Sequence, residues 1–326
     1  MSTVATAAQF FSATFRCMNT KVSLELSLPT EQARALVDTE VVPFFREFER
    51  QCSRFLAGNP LERLNASPNE WVQVPDLLHT AIIAAHEAYQ LTGGAFDPRI
   101  LRALQHLGYE SSFDPSAGAH GSAAALPPSP APWQPQFRSD HGGHLVNLGG
   151  APIDLGGIGK GLAVDLMSAK LREHAPSGVL NAGGDLQCWG TNAEDALWRV
   201  GIDDPGAAAS HSPAHPDPIA VLQLTNRGLA TSSISKRQWT TVDGANVHHL
   251  VNPATGLPAE PSLRSVTVLH KRTQVAEILT KDLLLAGAHH IAQRATELEV
   301  PALWVDAHGA LHASAQLGEA LLWART

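Results

Sequence analysis

The chain has 326 residues, 44% hydrophobic and 17% charged, the composition of a globular protein with enough apolar surface for a large core. A net charge of −8 argues against a nucleic-acid partner, which needs a basic face. Three cysteines at long spacings (Cys17, Cys52, Cys188) make neither a disulfide framework nor a zinc motif and are expected to be reduced core residues. No run approaches the roughly 18 apolar residues of a membrane span, and the first residues lack a basic start, a long apolar core or a cysteine for a lipid anchor. A cytoplasmic location without membrane insertion is therefore expected.

Taken in order, residues 8 to 28 alternate (Phe15, Cys17, Val22, Leu24, Leu26) as a strand or hairpin. Pro29-Thr30-Glu31 opens a helix with Thr30 as N-cap; Leu36, Val37, Val41, Val42, Phe45 and Phe48 form its apolar face, and Pro43 is expected to kink or divide it. Residues 52 to 67 (CSRFLAGNPLERLNAS) are turn-rich. From Pro75, DLLHTAIIAAHEAYQLTGG predicts a helix closed by Gly93-Gly94. Residues 113 to 144 are rich in Pro, Ala, Ser and Gly without periodicity and read as a surface excursion; 206 to 218 read as a second one. Strands are expected at Ile219–Leu224, Gly228–Thr231, His249–Val251 and Ser265–His270, a helix from about Gln274 to Leu285, and a last hairpin turning at His308-Gly309. Strands and helices mix without βαβ alternation. The expected fold is α+β, with mixed, largely antiparallel sheets and packed helices, in one domain over 1–326 or two intimately joined lobes.

The chemistry concentrates between Val146 and Gly190, which hold 10 glycines. These glycines stand at the ends of apolar segments, so the stretch reads as strand, glycine turn, helix, strand, glycine turn. Glycine junctions and a helix N-terminus let backbone N–H groups approach an anion. The cluster Gly156-Gly157-Ile158-Gly159-Lys160-Gly161 is not a Walker loop, because Asp154 and Gly161 replace the required Gly and Ser/Thr. Its GxGxG spacing also fails the dinucleotide fingerprint. A phosphate site and a tight structural turn both remain open for it.

Other motifs carry similar pairs of readings. Gly93–Arg99 (GGAFDPR) closes a helix. In Asn181-Ala182-Gly183-Gly184-Asp185 the carboxylate either caps the next turn or faces a ligand. His249, beside Asn252-Pro253 and Thr255-Gly256, has the imidazole chemistry of a general base, although most of the 16 histidines must be surface or structural; His289-His290 reads as an exposed helix start. Glu277 and Lys281 lie four apart on a helix and can simply pair.

In this order the motifs resemble one family, the ApbE-type FAD:protein FMN transferases. The landmarks are CSRF…LERLN (52–65), TGGAFDP (92–98), IDLGGIGKGLAVD (153–165), VLNAGGDLQCWG (179–190), LATSS…KRQW (229–239), HHLVNPATG (248–256) and SVTV…AEILTKDLLLAG (265–287). The resemblance implies an α+β, T-fold-related architecture and cleavage of the FAD pyrophosphate. FMN would pass to a Ser or Thr hydroxyl of an acceptor protein and AMP would be released, with a divalent cation, usually Mg2+, assisting.

By the same resemblance, His249, Lys160 and Asp154 are the catalytic candidates. The expected cofactor-binding residues are Met18, Phe55, Gly94, Ala95, Phe96, Asp97, Lys160, Asp165, Asn181, Gly183, Gly184, Asp185, Thr231, Ser232 and His249. Gly157, Glu277 and Lys281 occupy the metal positions. The chain departs from the family pattern in three places. Asn252-Pro253 replaces Asp-Pro, TSSISKRQW replaces a Thr-Ser-Gly form with a tyrosine two residues later, and Glu277 and Lys281 replace an Asp and a Thr. A lysine ammonium cannot ligate a cation. The alternative expectation is therefore a protein that holds FAD without transferring FMN, or one that uses Lys281 in place of a metal.

Overall fold

Alternation in the first apolar segment folds it into a hairpin. β1 (Phe10–Cys17) pairs antiparallel with β2 (Thr20–Ser27) along its whole length, and Met18 and Asn19 turn the chain with φ of 54° and 52°. Val22, Leu24 and Leu26 are buried on one face, while Lys21 and Glu25 are exposed on the other. The computed structural model describes residues 10–325 apart from 112–118, 125, 128, 130–131, 207–217 and 236.

α1 (Thr30–Leu36) starts at Thr30 itself, with Pro29 rather than Thr30 in the capping position. Pro43 does divide the following helix. A π-helical turn (Val37–Val41) widens the backbone ahead of the proline ring, and α2 (Val42–Cys52) restarts with Pro43 in its first turn, where a missing N–H costs nothing. α3 (Pro60–Ala66) is capped by Asn59, whose side chain accepts the Glu62 N–H at 2.8 Å. After β3 (Val72–Val74), α4 (Asp76–Leu91) ends at Gly93 and Gly94, with φ of 60° and 89°. A 3-10 turn (Pro98–Ile100) then leads into α5 (Leu101–His106).

The Pro/Ala-rich excursion ends earlier than its composition implies. Trp133 is 1% exposed, its indole N–H donates to the Leu148 carbonyl at 2.8 Å, and its ring packs edge-on against Tyr89 and His86. One tryptophan buries enough surface to anchor a segment that lacks any periodicity. β4 (Gln136–Asp140) and β5 (Gly143–Asn147) follow, joining β3 in an antiparallel sheet of order β3-β5-β4. Residues 113–118 of this excursion and 207–217 of the second lie outside the described residues.

The glycine-rich unit comprises α6 (Gly159–Leu171), β6 (Gly178–Ala182) and β7 (Asp185–Trp189). Next come β8 (Trp198–Ile202), β9 (Ala220–Leu224) and β10 (Arg227–Ser233). β11 (Gln238–Thr240) pairs with β12 (Asn246–His248), and β13 (Val251–Asn252) with β14 (Leu257–Pro258). His249 and Leu250 thus form a bend between strands, not the strand expected at 249–251. The chain ends with β15 (Leu263–His270), α7 (Thr273–Glu297), β16 (Ala302–Asp306), β17 (Leu311–Ala313) and β18 (Leu321–Ala324). α7 outruns the expected helix because its two halves meet at Gly287 (φ 70°), and His289 and His290 open the second half exposed.

One antiparallel sheet of order β1-β2-β6-β7-β10-β15-β16-β17 organises the molecule. Its alternating side chains feed two cores. On β15 and β16, Val266, Val268, Ala302 and Trp304 face the helices. Leu269, Leu303 and Val305 face the small sheet β18-β9-β8 on the other side. The fold is α+β with a large antiparallel sheet and packed helices. Cys17, Cys52 and Cys188 are buried free thiols. Among the described residues no helix is long and apolar enough to cross a membrane.

α6 packs closely on α7 because Gly161 has no side chain: a Cβ there would lie 2.7 Å from the Gln274 Cα and 2.9 Å from the Thr273 carbonyl oxygen. Backbone cannot give way as a side-chain tip can. Gly161→Ala is expected to destabilise the protein by about 1–3 kcal/mol, read as a lowered midpoint in urea unfolding. An unchanged midpoint would show that this glycine serves no packing role.

Candidate active site

A cleft of about 1120 Å³ opens where the sheet, the glycine turns and α7 converge. Of the expected site residues, Phe55, Ala95, Phe96, Asp97, Asp154, Gly157, Lys160, Asn181, Gly183, Gly184, Thr231, Ser232, His249, Glu277 and Lys281 lie on its wall. Met18, Gly94, Asp165 and Asp185 do not.

At its floor is a buried charge cluster. Glu277, on the first turns of α7, is 2% exposed at its side chain. Its Oε1 accepts the Lys160 Nζ at 2.9 Å and lies 3.6 Å from the Lys281 Nζ, while its Oε2 accepts the Gly161 N–H at 2.8 Å. Glu277 thus sits at the N-terminus of α6, where the helix favours negative charge. The Lys160 ammonium also donates to Asp185, itself 2% exposed, and the Lys281 ammonium donates to the Glu277 carbonyl at 3.0 Å. Burial opposes the Glu277 charge, but Lys160 and Lys281 outweigh it and hold the carboxyl below its ordinary range. Burial also opposes the Lys160 charge, yet Asp185 and Glu277 raise its pKa. Burial lowers Lys281 against the pull of Glu277. It also raises Asp185 to about 6, opposed by Lys160 and reinforced by Glu277.

Asp165 lies off the cleft wall and braces α7. Its carboxylate accepts the Thr273 N–H at 2.7 Å and the Gln274 N–H at 3.0 Å, capping α7 at its start. Met18 packs against the core at the β1–β2 turn, and Gly94 lies against the Tyr89 ring. Asp185 reaches the cleft only through Lys160. Asp97, although on the wall, forms a buried bidentate pair with Arg99 (2.7 and 3.0 Å). Asp154 is likewise engaged: Oδ1 accepts the Gly156 N–H at 2.9 Å and Oδ2 lies 2.7 Å from the Arg54 Nε. Its carboxylate thereby holds the glycine turn against Arg54.

Arg54 was not singled out from the sequence. Its side chain is 5% exposed, and its guanidinium lies over the Phe55 and Tyr109 rings at 4.1 and 4.7 Å from their centroids. The Arg-Phe pair in CSRF was the available signal, but nothing local reveals that it reaches Asp154.

The paired histidines divide their roles. The His248 Nδ1 accepts the Leu250 N–H at 3.3 Å and its Nε2 meets the Ala259 carbonyl at 3.0 Å, which requires the proton on Nε2 and closes the bend. His249 turns to the cleft, 6.5 Å from the Tyr109 ring, and its buried Nδ1 has no hydrogen-bond partner among the described residues. Burial, helped by the charges of Arg237, His248 and Lys281, holds the His249 pKa well below 6.5, so the ring is neutral at pH 7. The β10 hydroxyls are tied back: Thr231 to Thr267 at 2.9 Å, Ser232 to Thr280 at 2.6 Å.

The residues at the expected metal position do not fit a divalent cation. Both Glu277 oxygens and its carbonyl are engaged by N–H donors, and Lys281 brings an ammonium where a hard ion needs oxygen ligands. Among the described residues no group of three or more His, Cys, Asp or Glu is placed to hold an ion.

Comparison with known proteins agrees with this geometry at the level of fold and family. Residues 18–304 match the ApbE family. The chain is 30% identical over 136 residues to the FAD:protein FMN transferase of Haemophilus influenzae, covering 41% of this chain and 38% of that protein. It is 26% identical over 285 residues to the FAD:protein FMN transferase of Treponema pallidum, covering 79% and 73%. The first of these matches thus spans well under half of the relative's length. The solved ApbE protein of Thermotoga maritima is similar with a TM-score of 0.76 at 25% identity, over 95% of this chain and 98% of that one.

Because the folded His249 resists protonation, the unfolded chain binds more protons once the pH falls below about 6.5. Stability is therefore present above that pH and is lost as the pH falls toward the depressed folded pKa. His248 and His270 are depressed by burial as well, so they share this slope. Urea unfolding of His249→Gln between pH 7 and 5 is expected to show a shallower loss than the wild type. An identical slope would mean that His249 titrates normally.

Proposed function

Since the chain belongs to the ApbE family, we propose that it transfers FMN from FAD to a Thr or Ser hydroxyl of an acceptor protein and releases AMP. The observation that carries this reading is a single cleft whose wall holds both aromatic side chains and cationic nitrogen donors. Phe55, Phe96 and Tyr109 supply apolar wall suited to an isoalloxazine or adenine ring, and Lys160, Lys281 and Arg237 line the same space as cations.

In this reading the acceptor hydroxyl oxygen attacks the phosphorus on the riboflavin side of the pyrophosphate. A phosphoester bond forms to that oxygen, the bond from the same phosphorus to the bridging oxygen breaks, and AMP leaves with the bridging oxygen. The hydroxyl proton passes to His249, which is neutral at pH 7 and whose buried Nδ1 lacks a partner. The two lysines stabilise charge on the transferring phosphoryl group, and the surrounding ion pairs hold them in place before the ligand arrives. Asn181 accepts the Gly184 N–H at 2.8 Å and so shapes the second glycine turn at the cleft edge. No step here requires a metal ion.

The test is in-gel flavin fluorescence after denaturation, with the protein incubated with FAD and a flavoprotein subunit bearing an acceptor Thr. A fluorescent acceptor band is expected, absent when that Thr is replaced. His249→Asn is expected to slow its appearance by about 10²–10⁴-fold with FAD still bound. FAD binding without any labelled acceptor would instead favour a flavin-holding protein.

A further inference from the structure

Each lysine at the cleft floor is held by the protein and yet has capacity to spare. Of its three ammonium hydrogens, Lys281 directs one to the Glu277 carbonyl at 3.0 Å and one toward the Glu277 Oε1 at 3.6 Å, which leaves one donor free among the described residues. Lys160 is in the same position, donating to Asp185 and Glu277. The Lys281 stem has a built path along the wall. A Cβ at Gly157 would lie 3.1 Å from the Lys281 Cε and 3.1 Å from the Phe96 ring, so glycine there is what lets the stem lie against the turn.

The charge count follows from these contacts. Asp185 and Glu277 carry two negative charges against the three positive charges of Lys160, Lys281 and Arg237, so this part of the cleft is net positive before any ligand arrives. The cations are covalently attached and cannot be diluted away or chelated, unlike a divalent ion.

We propose that this chain binds its pyrophosphate-bearing nucleotide without a divalent cation, with the Lys281 ammonium, seated on Glu277 and against Gly157, occupying the place of the ion. The inference rests on the FAD reading above. It makes Lys281 a binding residue and Gly157 the residue that positions it. Ligand affinity is then insensitive to chelators, because both partners of the Lys281–Glu277 contact belong to one helix and are assembled when α7 folds.

The experiment is calorimetric titration of the full chain with FAD, in EDTA and in buffer with excess MgCl2. The wild type is expected to bind with the same dissociation constant in both, within about twofold. Lys281→Thr, which restores an oxygen at this position, is expected to bind at least about tenfold more weakly in EDTA and to recover when Mg2+ is added. Lys281→Met, which keeps the stem but offers neither charge nor oxygen, is expected to be weak in both buffers. Thermal melts without FAD establish that the variants are folded. Loss of wild-type binding in EDTA, or undiminished binding by folded Lys281→Met, overturns the proposal, as does failure of FAD to bind in either buffer. Cation-independent binding without flavin on any acceptor would leave this inference standing and remove the transferase reading.

Discussion

A carboxylate at 2% exposure stays ionised only if donors surround it, and that demand at Glu277 sets much of the surrounding structure. The Gly161 N–H, the Lys160 ammonium and the Lys281 ammonium meet it from two helices. Lys160 in turn needs Asp185 at the start of β7, so one buried charge ties α6, β7 and α7 together. Breaking such a pair from one side leaves an uncompensated charge, which costs about 3–5 kcal/mol in buried settings. The cluster is therefore a structural joint as well as the floor of the cleft. Its lysines come pre-oriented because their carboxylates cannot move.

The same accounting changes how the glycine-rich stretch is understood. Its sequence resembles a phosphate cradle, yet several of its N–H groups are already used by the protein's own side chains: Gly156 by Asp154, Gly161 by Glu277 and Gly184 by Asn181. Gly161 is glycine for close helix packing. Gly183 is glycine because its φ is +69° and because the Thr20 hydroxyl would collide with a Cβ. The positive charge on the cleft wall comes instead from lysine side chains on the neighbouring helices.

Two of the candidate carboxylates make bracing contacts within the protein. Asp165 caps α7 and thereby fixes the helix that carries Glu277 and Lys281. Asp154 links Arg54 to the glycine turn, and Arg54 stacks on the two aromatic rings at the cleft's edge. The aromatic wall and the glycine turn are thus mechanically connected. His249 differs from all of these: its buried Nδ1 has no protein partner among the described residues, whereas its neighbour His248 is fully committed to closing the bend.

The sequence by itself determined the local elements and the family. The first hairpin, the helix stopped by Gly93-Gly94, the division at Pro43 and the last hairpin at His308-Gly309 all follow from periodicity and turn chemistry, which act over a few residues. The ordered motifs then identified the ApbE family, because their succession is specific even where each alone is not. Local signals failed where a distant contact prevailed: Trp133 anchored a segment whose composition reads as loop, and His248 turned an expected strand into a bend. Only the tertiary structure decided which charges meet. Lys160 and Glu277 are 117 positions apart, and Asp165 caps a helix 108 positions away. Ion pairing acts through space and leaves no period in the chain, so the division of carboxylates between braces and cleft, and the seating of Lys281 on Glu277, appear only once the helices have packed.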